Sequence, residues 1–336
     1  MKLFIKVLFL SRFTHLKLAK PLCRGVFVLK MYPQCVVCQI NVRYRDLEKA
    51  RNMSDNEKMA VMSNVIGIVK DFIDECTKDS SYPCVPTILA TKLFRFMKRV
   101  LDSDDPYLDE KIASHREALK FYDSVRKTVF SEADVGKRLE KAIRFSILGN
   151  LLDIGVLNYT PPKVEEVIEK ALKMDIYGDL NKAIDILLNS KNVVVVLDNA
   201  GEAVFDRLLA DVLRGNGAKV YAIVKGGSFQ NDVTIKDAFV AELDKSFDAV
   251  FDTSTDASSI FLDELGIEAR KAIEGADTIV AKGMANYEYI TEVERVLGKT
   301  VIYLLVAKCM PISVDTGIPL GKAGVLVHRA RQVDSM

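Results

Sequence analysis

Three observations predict a doubly wound parallel α/β sheet behind a mainly helical front half. The run Val193-Val194-Val195-Val196-Leu197 is apolar without alternation, as in a strand covered by helices on both faces. Further apolar runs follow at Ala218 to Val224, Ala249 to Asp252, Thr278 to Ala281 and Val301 to Ala307, with helical stretches between most of them. Right-handed crossovers are the economical way to connect such a series. Finally, every run ends in polar or charged residues, and ligands of such sheets bind beyond the carboxyl ends of the strands.

Taken in chain order, the first 45 residues carry Lys2, Lys6, Arg12, Lys17, Lys20, Arg24, Lys30, Arg43 and Arg45, with no acid before Asp46. The segment Val7-Leu8-Phe9-Leu10 has the outline of an export signal, but Lys6 interrupts it and no small-residue cleavage site follows. Residues 1–30 are therefore read as a basic extension from a start codon placed too early, with Met31 opening the functional chain in the cytoplasm. Residues 31–160 form the helical domain, with long amphipathic helices at Asn56 to Cys76 and Ser114 to Phe130. Breaks fall at Ser81-Tyr82-Pro83-Cys84-Val85-Pro86 and at Thr160-Pro161-Pro162. Cys35-Val36-Val37-Cys38 has metal or redox spacing; structural zinc needs a second pair, so a thiol pair packed in the helical region is the favoured reading. A Cys76–Cys84 disulfide stays open. Asn150 and Asp153, after Gly149, are three residues apart and share a helix face, either as a surface pair or as the lining of a cleft.

Residues 161–330 are the α/β metal-binding domain, with helices expected at Glu202 to Leu213, Thr234 to Leu243 and Tyr287 to Leu297. Asp198 and Asn199 end the first strand and Gly201 permits a tight turn, a pattern that also serves as a helix cap. Repetition favours ligands: the same sheet edge collects Asp232, Asp252, Lys225, Lys282 and Lys308. Carboxylates with an amide oxygen suit a divalent cation such as Mg²⁺ or Mn²⁺ that keeps several waters. Lysines at neighbouring strand ends suit phosphate oxygens. Together they point to phosphate chemistry.

With 336 residues and 49% hydrophobic content the chain has ample material for a core. Its 47 basic and 46 acidic residues nearly cancel, which gives no electrostatic case for nucleic acid or an anionic membrane. No apolar stretch approaches the roughly 20 residues that span a bilayer. His15, His115 and His328 fall in no catalytic or zinc pattern and take no role. The oligomeric state is not legible.

The ordered set Cys35-x-x-Cys38, Gly149-Asn150-x-x-Asp153, Asp198-Asn199-Ala200-Gly201-Glu202, Asn231-Asp232, Lys282-Gly283 with Asn286, and Lys308-Cys309 resembles the damage-control phosphatases, once called domain of unknown function eighty-nine. The likeness spans Tyr32 to about Val327, and its CxxC and GNxxD elements resemble the archaeal and bacterial branch. It implies a Rossmann-like three-layer α/β/α core with an added N-terminal helical domain. It also implies hydrolysis of phosphomonoesters, sugar phosphates or damaged phosphometabolites, with Mn²⁺, Co²⁺, Ni²⁺ or Mg²⁺. By motif the metal ligands are Asp198, Asn199 and Asp232. Lys308, Lys282 and Glu202 are the catalytic candidates, and Asn150, Asp153, Lys225 and Asn286 the substrate-binding ones. Another branch of the family has Arg-Thr-x-Lys where this chain has Leu305-Val306-Ala307-Lys308, so that branch's substrate contacts do not transfer.

Competing readings are weaker. A haloacid-dehalogenase mechanism wants a second Asp two residues after Asp198, where this chain has Ala200. An S-adenosylmethionine-dependent methyltransferase wants a glycine-rich first turn, which is absent. A non-catalytic module binding a phosphorylated metabolite through a metal would use the same residues.

Overall fold

The computed structural model describes residues 31–50, 52–79, 83–149 and 164–329. Asn150, Asp153 and the basic segment 1–30 lie outside them. Three helices open the fold: α1 (Pro33–Asp46), α2 (Asp55–Lys78) and α3 (Pro86–Val100). Proline in the first turn starts α1 and α3, where its missing N–H costs nothing, and a Ser54–Glu57 capping box starts α2. Their apolar faces close around Val65, Phe72, Leu89, Leu93 and Phe94, and a disulfide joins Cys76 to Cys84 between α2 and α3. Cys35 is buried in this cluster and Cys38 is exposed; burial pushes the Cys35 thiol up to about 11, which leaves little reactive thiolate.

There follow α4 (Leu108–Phe130), α5 (Val135–Gly149), α6 (Val164–Lys173), β1 (Ile176–Gly178), α7 (Leu180–Asn189), β2 (Asn192–Val196), α8 (Glu202–Gly215), β3 (Lys219–Val224) and β4 (Ala249–Asp252). The chain continues through α9 (Ile267–Gly275), β5 (Thr278–Lys282), α10 (Gly283–Leu297), β6 (Thr300–Val306), α11 (Met310–Thr316) and β7 (Ala323–His328). One sheet runs β1-β7-β6-β5-β2-β3-β4, with β2 to β6 parallel and β7 antiparallel to β6.

Both faces of the sheet are covered, which is why its strands lack polar alternation. Val193, Val195, Val220, Ala222 and Val280 pack on one side with residues of α4, α5, α7 and α8. Val194, Val196, Ile223, Ile279 and Ala281 pack on the other with α9, α10 and α11. The result is the three-layer α/β/α core that the sequence predicts, with α1 to α3 added at one end. All five predicted strands are present to within one residue at each end. The expected helix at Thr234 to Leu243 is corrected: this stretch is a series of turns ending in the 3₁₀ turn Leu243–Lys245. Its apolar residues Ala238, Ala241 and Leu243 still reach the core, but the Asp237 carboxylate takes the Thr234 N–H, and Glu242 adopts a φ of 55° that ends helical geometry.

Helix α3 is fastened to the sheet's loops by charge. Arg95 donates to Asp256 (2.7 Å) and to both carboxylate oxygens of Glu264, and Lys98 donates to Asp256 (2.6 Å). Hydrogen bonding by Arg95 holds Glu264 below its usual range; burial pushes Asp256 up, but Lys98 and Arg95 outweigh it and hold it low. Both carboxylates therefore add stability above their ordinary values of 3.8 and 4.5, and that contribution is lost as pH falls through the depressed values. We expect Arg95→Met to cost about 1–2 kcal/mol at neutral pH and less near pH 3. Urea unfolding at both pH values measures this; an equal loss at the two would contradict it.

Candidate active site

Strand β2 is the switch point of the sheet: β3 and β4 lie to one side of it, β5 and β6 to the other. A crevice opens at the carboxyl end of such a strand. The Leu197 N–H still donates to Ile223 O at 3.0 Å, so Asp198 and Asn199 are the first residues past the ladder. Backbone bonds tie this turn to the next loop: Ala200 N–H donates to Asn231 O (2.8 Å) and Val233 N–H to Asp198 O (2.9 Å). Asn199 thereby pairs with Asp232 in an isolated antiparallel bridge. Gly283, with a φ of 75°, admits the Asp198 side chain to the start of α10, because a Cβ there would stand 1.9 Å from Asp198 Oδ2.

The side chains in this turn are oriented by one another. Asn199 Nδ2 donates to Asp198 Oδ2 (2.8 Å) and Glu202 Oε2 (3.1 Å). Two carboxylates on that side fix the amide nitrogen there and turn Oδ1 the other way. Asp232 Oδ2 is buried and accepts no hydrogen bond; Lys225 Nζ stands 3.5 Å from it. Burial, together with the charges of Asp232 and Glu202, pushes the Asp198 carboxyl well above its usual range, with Lys308 and Lys225 offsetting part of the rise. Burial likewise pushes Asp232 up, against the pull of Lys225. Crowded, buried carboxylates of this kind favour a proton or a cation among them.

Lys282 and Asn286 face inward. Lys282 is fully buried, and its ammonium donates to Ser146 O (2.9 Å), Glu202 Oε1 (2.5 Å) and Asp206 Oδ1 (2.6 Å). Those three acceptors use its three protons. Burial works against its charge, yet Asp206 and Glu202 hold its pKa above the ordinary value. Asn286 donates to Leu197 O and Lys282 O and accepts from Ser259 Oγ, so its amide braces the ends of β2 and β5. Neither residue is presented to a ligand as the sequence reading expected; strand alternation puts Lys282 on the α5 and α8 side with Val280, away from the open edge. Lys225 is buried too and donates to Ser258 O (2.7 Å). Lys308 is exposed, and its charge reaches Asp198. Asp252 caps its own turn through the Ser254 N–H (2.7 Å). Gly149 packs against Glu202, with a Cβ at that position falling 2.8 Å from the Glu202 Cα, which brings the end of α5 to the start of α8.

A polar cleft of about 440 Å³ opens beside this edge, lined by Lys98, Gly226, Gly227, Ser228, Thr234 and Ser254 among others. A larger one of about 690 Å³ lies among the N-terminal helices, lined by Lys49, Glu57, Val100 and Pro106, and contains none of the strand-end residues.

The family model described as the damage-control phosphatase ARMT1-like domain matches residues 31–323. The chain belongs to that family. A damage-control phosphatase of Archaeoglobus fulgidus is 33% identical over 304 residues, covering 87% of this chain and 97% of that protein. An uncharacterized protein of Methanocaldococcus jannaschii is 32% identical over 306 residues, covering 90% and 96% respectively. The crystal structure of a DUF89 family protein from Pyrococcus horikoshii superposes with a TM-score of 0.76 at 27% identity, covering 90% of this chain and 99% of that one.

The sequence reading singles out Glu202 and Lys282 but misses their buried partners Ser146 and Asp206, which it assigns no role. It also misses His115, whose ring nitrogen accepts from the Gly201 N–H at 3.1 Å. Helical spacing marks Ser146, Asp206 and His115 only as polar positions on amphipathic helices. Removing the Lys282 ammonium would leave Glu202 and Asp206 uncompensated in the interior. We expect Lys282→Met to cost about 3–5 kcal/mol, with part recovered by adding Asp206→Asn. Chemical unfolding of the single and double variants reads both, and a single variant as stable as the parent would contradict the assignment.

Proposed function

We propose that this chain is a metal-dependent phosphatase that hydrolyses phosphomonoesters of small metabolites, sugar phosphates or damaged phosphometabolites. Names of its relatives as damage-control phosphatases support the phosphatase role. The observation that carries the metal is the convergence of Asp198, Asn199 and Asp232 at the switch point of the sheet, where Asp232 Oδ2 is buried without a hydrogen bond and meets Lys225 Nζ only as an ion pair at 3.5 Å. Asp198, Asn199 and Asp232 would hold the cation through oxygen. Two carboxylates and an amide oxygen are hard donors that suit Mg²⁺, Mn²⁺, Co²⁺ or Ni²⁺ retaining several waters, and among the described residues no three His, Cys, Asp or Glu side chains gather into a metal cage. When bound, such a cation supplies Lewis-acid stabilisation of the phosphoryl oxygens.

The chain's own residues do the rest. Glu202 fixes the Asn199 amide so that its oxygen faces away from the carboxylates, and the Lys282 ammonium donates to Glu202 and holds it there. Lys225 holds Asp232 in place while itself anchored to Ser258 O. Lys308, exposed just past β6, offers a positive charge to the phosphate as water attacks phosphorus, the P–O ester bond breaks and the metabolite leaves as its alcohol, the water supplying the proton. The polar cleft, with Ser228, Thr234 and Ser254 in its wall, takes the hydroxylated remainder of the substrate. Since basic and acidic residues nearly balance, affinity must come from these local charges.

Metal-stripped protein given single cations and a panel of sugar phosphates should release inorganic phosphate only with metal. Asp232→Asn, which keeps shape and removes charge, should lower kcat/KM by at least about 100-fold with the fold intact. Unchanged turnover in that variant would remove the site from the reaction.

A further inference from the structure

Helix α4 reaches the ligand turn through a buried histidine. His115 Nδ1 accepts a hydrogen bond from the Gly201 N–H at 3.1 Å, which requires that nitrogen to be unprotonated. The other nitrogen, Nε2, then carries the proton and faces Asp237 Oδ2 at 3.3 Å. Asp237 is itself pinned, because its Oδ1 accepts from the Thr234 N–H (2.6 Å) and hydroxyl. Lys111 Nζ stands 3.4 Å from its Oδ2 and 2.6 Å from Asp105. His115, Asp237 and Lys111 are all buried. Gly201 lies two residues after Asn199 and directly before Glu202; Thr234 lies two residues after Asp232. The chain Gly201–His115–Asp237–Thr234 therefore spans the two loops that carry the three candidate ligands, and α4 supplies its middle link. Contact is close: a Cβ on Gly201, whose φ is 79°, would stand 3.1 Å from Ser114 Cβ and 3.2 Å from Ser114 O.

We infer that His115 is a positioning residue for the cation site, holding the Asn199–Glu202 turn against the Asp232–Thr234 loop through its fixed tautomer. This rests on the metal-site reading above. Partners that orient ligands from behind typically change metal affinity by about 10–100-fold when removed. A residue that merely filled space would be replaceable by any side chain of similar size.

Two amides of equal polarity separate these cases. His115→Asn places an amide oxygen near the position of Nδ1 and can still accept from Gly201, whereas His115→Gln reaches toward Asp237 and leaves the Gly201 N–H without its acceptor. Thermal melting establishes that both are folded. Mn²⁺ dissociation constants from electron paramagnetic resonance titration should then rise about 10–100-fold in His115→Gln and only a few-fold in His115→Asn. Equal constants for His115→Gln and the parent would overturn the inference. If the parent binds no Mn²⁺ at all, the metal reading fails and the cation role of His115 falls with it. Hydrogen exchange of the 199–203 amides in metal-free protein then decides whether the clamp exists: exchange faster in His115→Gln and restored in His115→Asn supports it, and identical exchange in all three proteins overturns it.

Discussion

Four carboxylates buried at one edge of a sheet set the terms for everything around them. Asp198 and Asp232 share their surroundings with the buried Lys225, and Glu202 and Asp206 share theirs with the buried Lys282. Each group sets two carboxyl groups against one buried ammonium. Burying such charge unpaired is costly, and the fold answers with short hydrogen bonds, a saturated lysine and raised carboxylate pKa values. The two groups are not equivalent. Each keeps one buried carboxylate oxygen without a hydrogen bond, Asp206 Oδ2 and Asp232 Oδ2, but Lys282 spends its three protons in the interior, whereas Asp232 stands beside the end of β2, where the topology opens a crevice. We propose a structural role for the group around Lys282 and ligand binding for the other.

The helical front half is part of the same solution. Ser146 on α5 supplies both a carbonyl for Lys282 and a hydroxyl for Asp206, and α4 carries Lys111 and His115 into the space behind the ligand loops. Helix α3 contributes Arg95 and Lys98 to the loop after β4. Three helices that precede the central strands in sequence thus determine how the strand-end loops sit. Substitutions far upstream of the site should act on it through these contacts.

How much of this was legible depends on the range of the forces involved. Apolar runs without alternation marked β2 to β6 because burial on both faces is written into consecutive residues. Strand β1, with only Ile176, Tyr177 and Gly178, and β7, interrupted by Gly324, were too short or too weakly patterned to read. The convergence of Asp198, Asn199 and Asp232 was legible because strand ends meet at one edge of a parallel sheet, and the structure brings Asn199 and Asp232 into register. Lys282 was legible as a strand-end lysine, but its inward direction depends on which face of β5 meets α5 and α8, and that is a tertiary fact. His115 gave no signal, since a single histidine on a helix becomes informative only when its partner, 86 residues away, is known. The turns at 234–243 misled for a related reason: Ile235, Ala238 and Ala241 recur at the i, i+3 spacing of a helix face, while the Asp237 carboxylate and the left-handed Glu242 decide the backbone.

Anomalous diffraction from crystals of the full chain soaked in Mn²⁺ tests the central claim most directly. The account predicts a single strong peak within coordination distance of Asp198, Asn199 and Asp232, including Oδ2 of Asp232. Absence of density there at saturating Mn²⁺, or a peak only elsewhere on the surface, would contradict it.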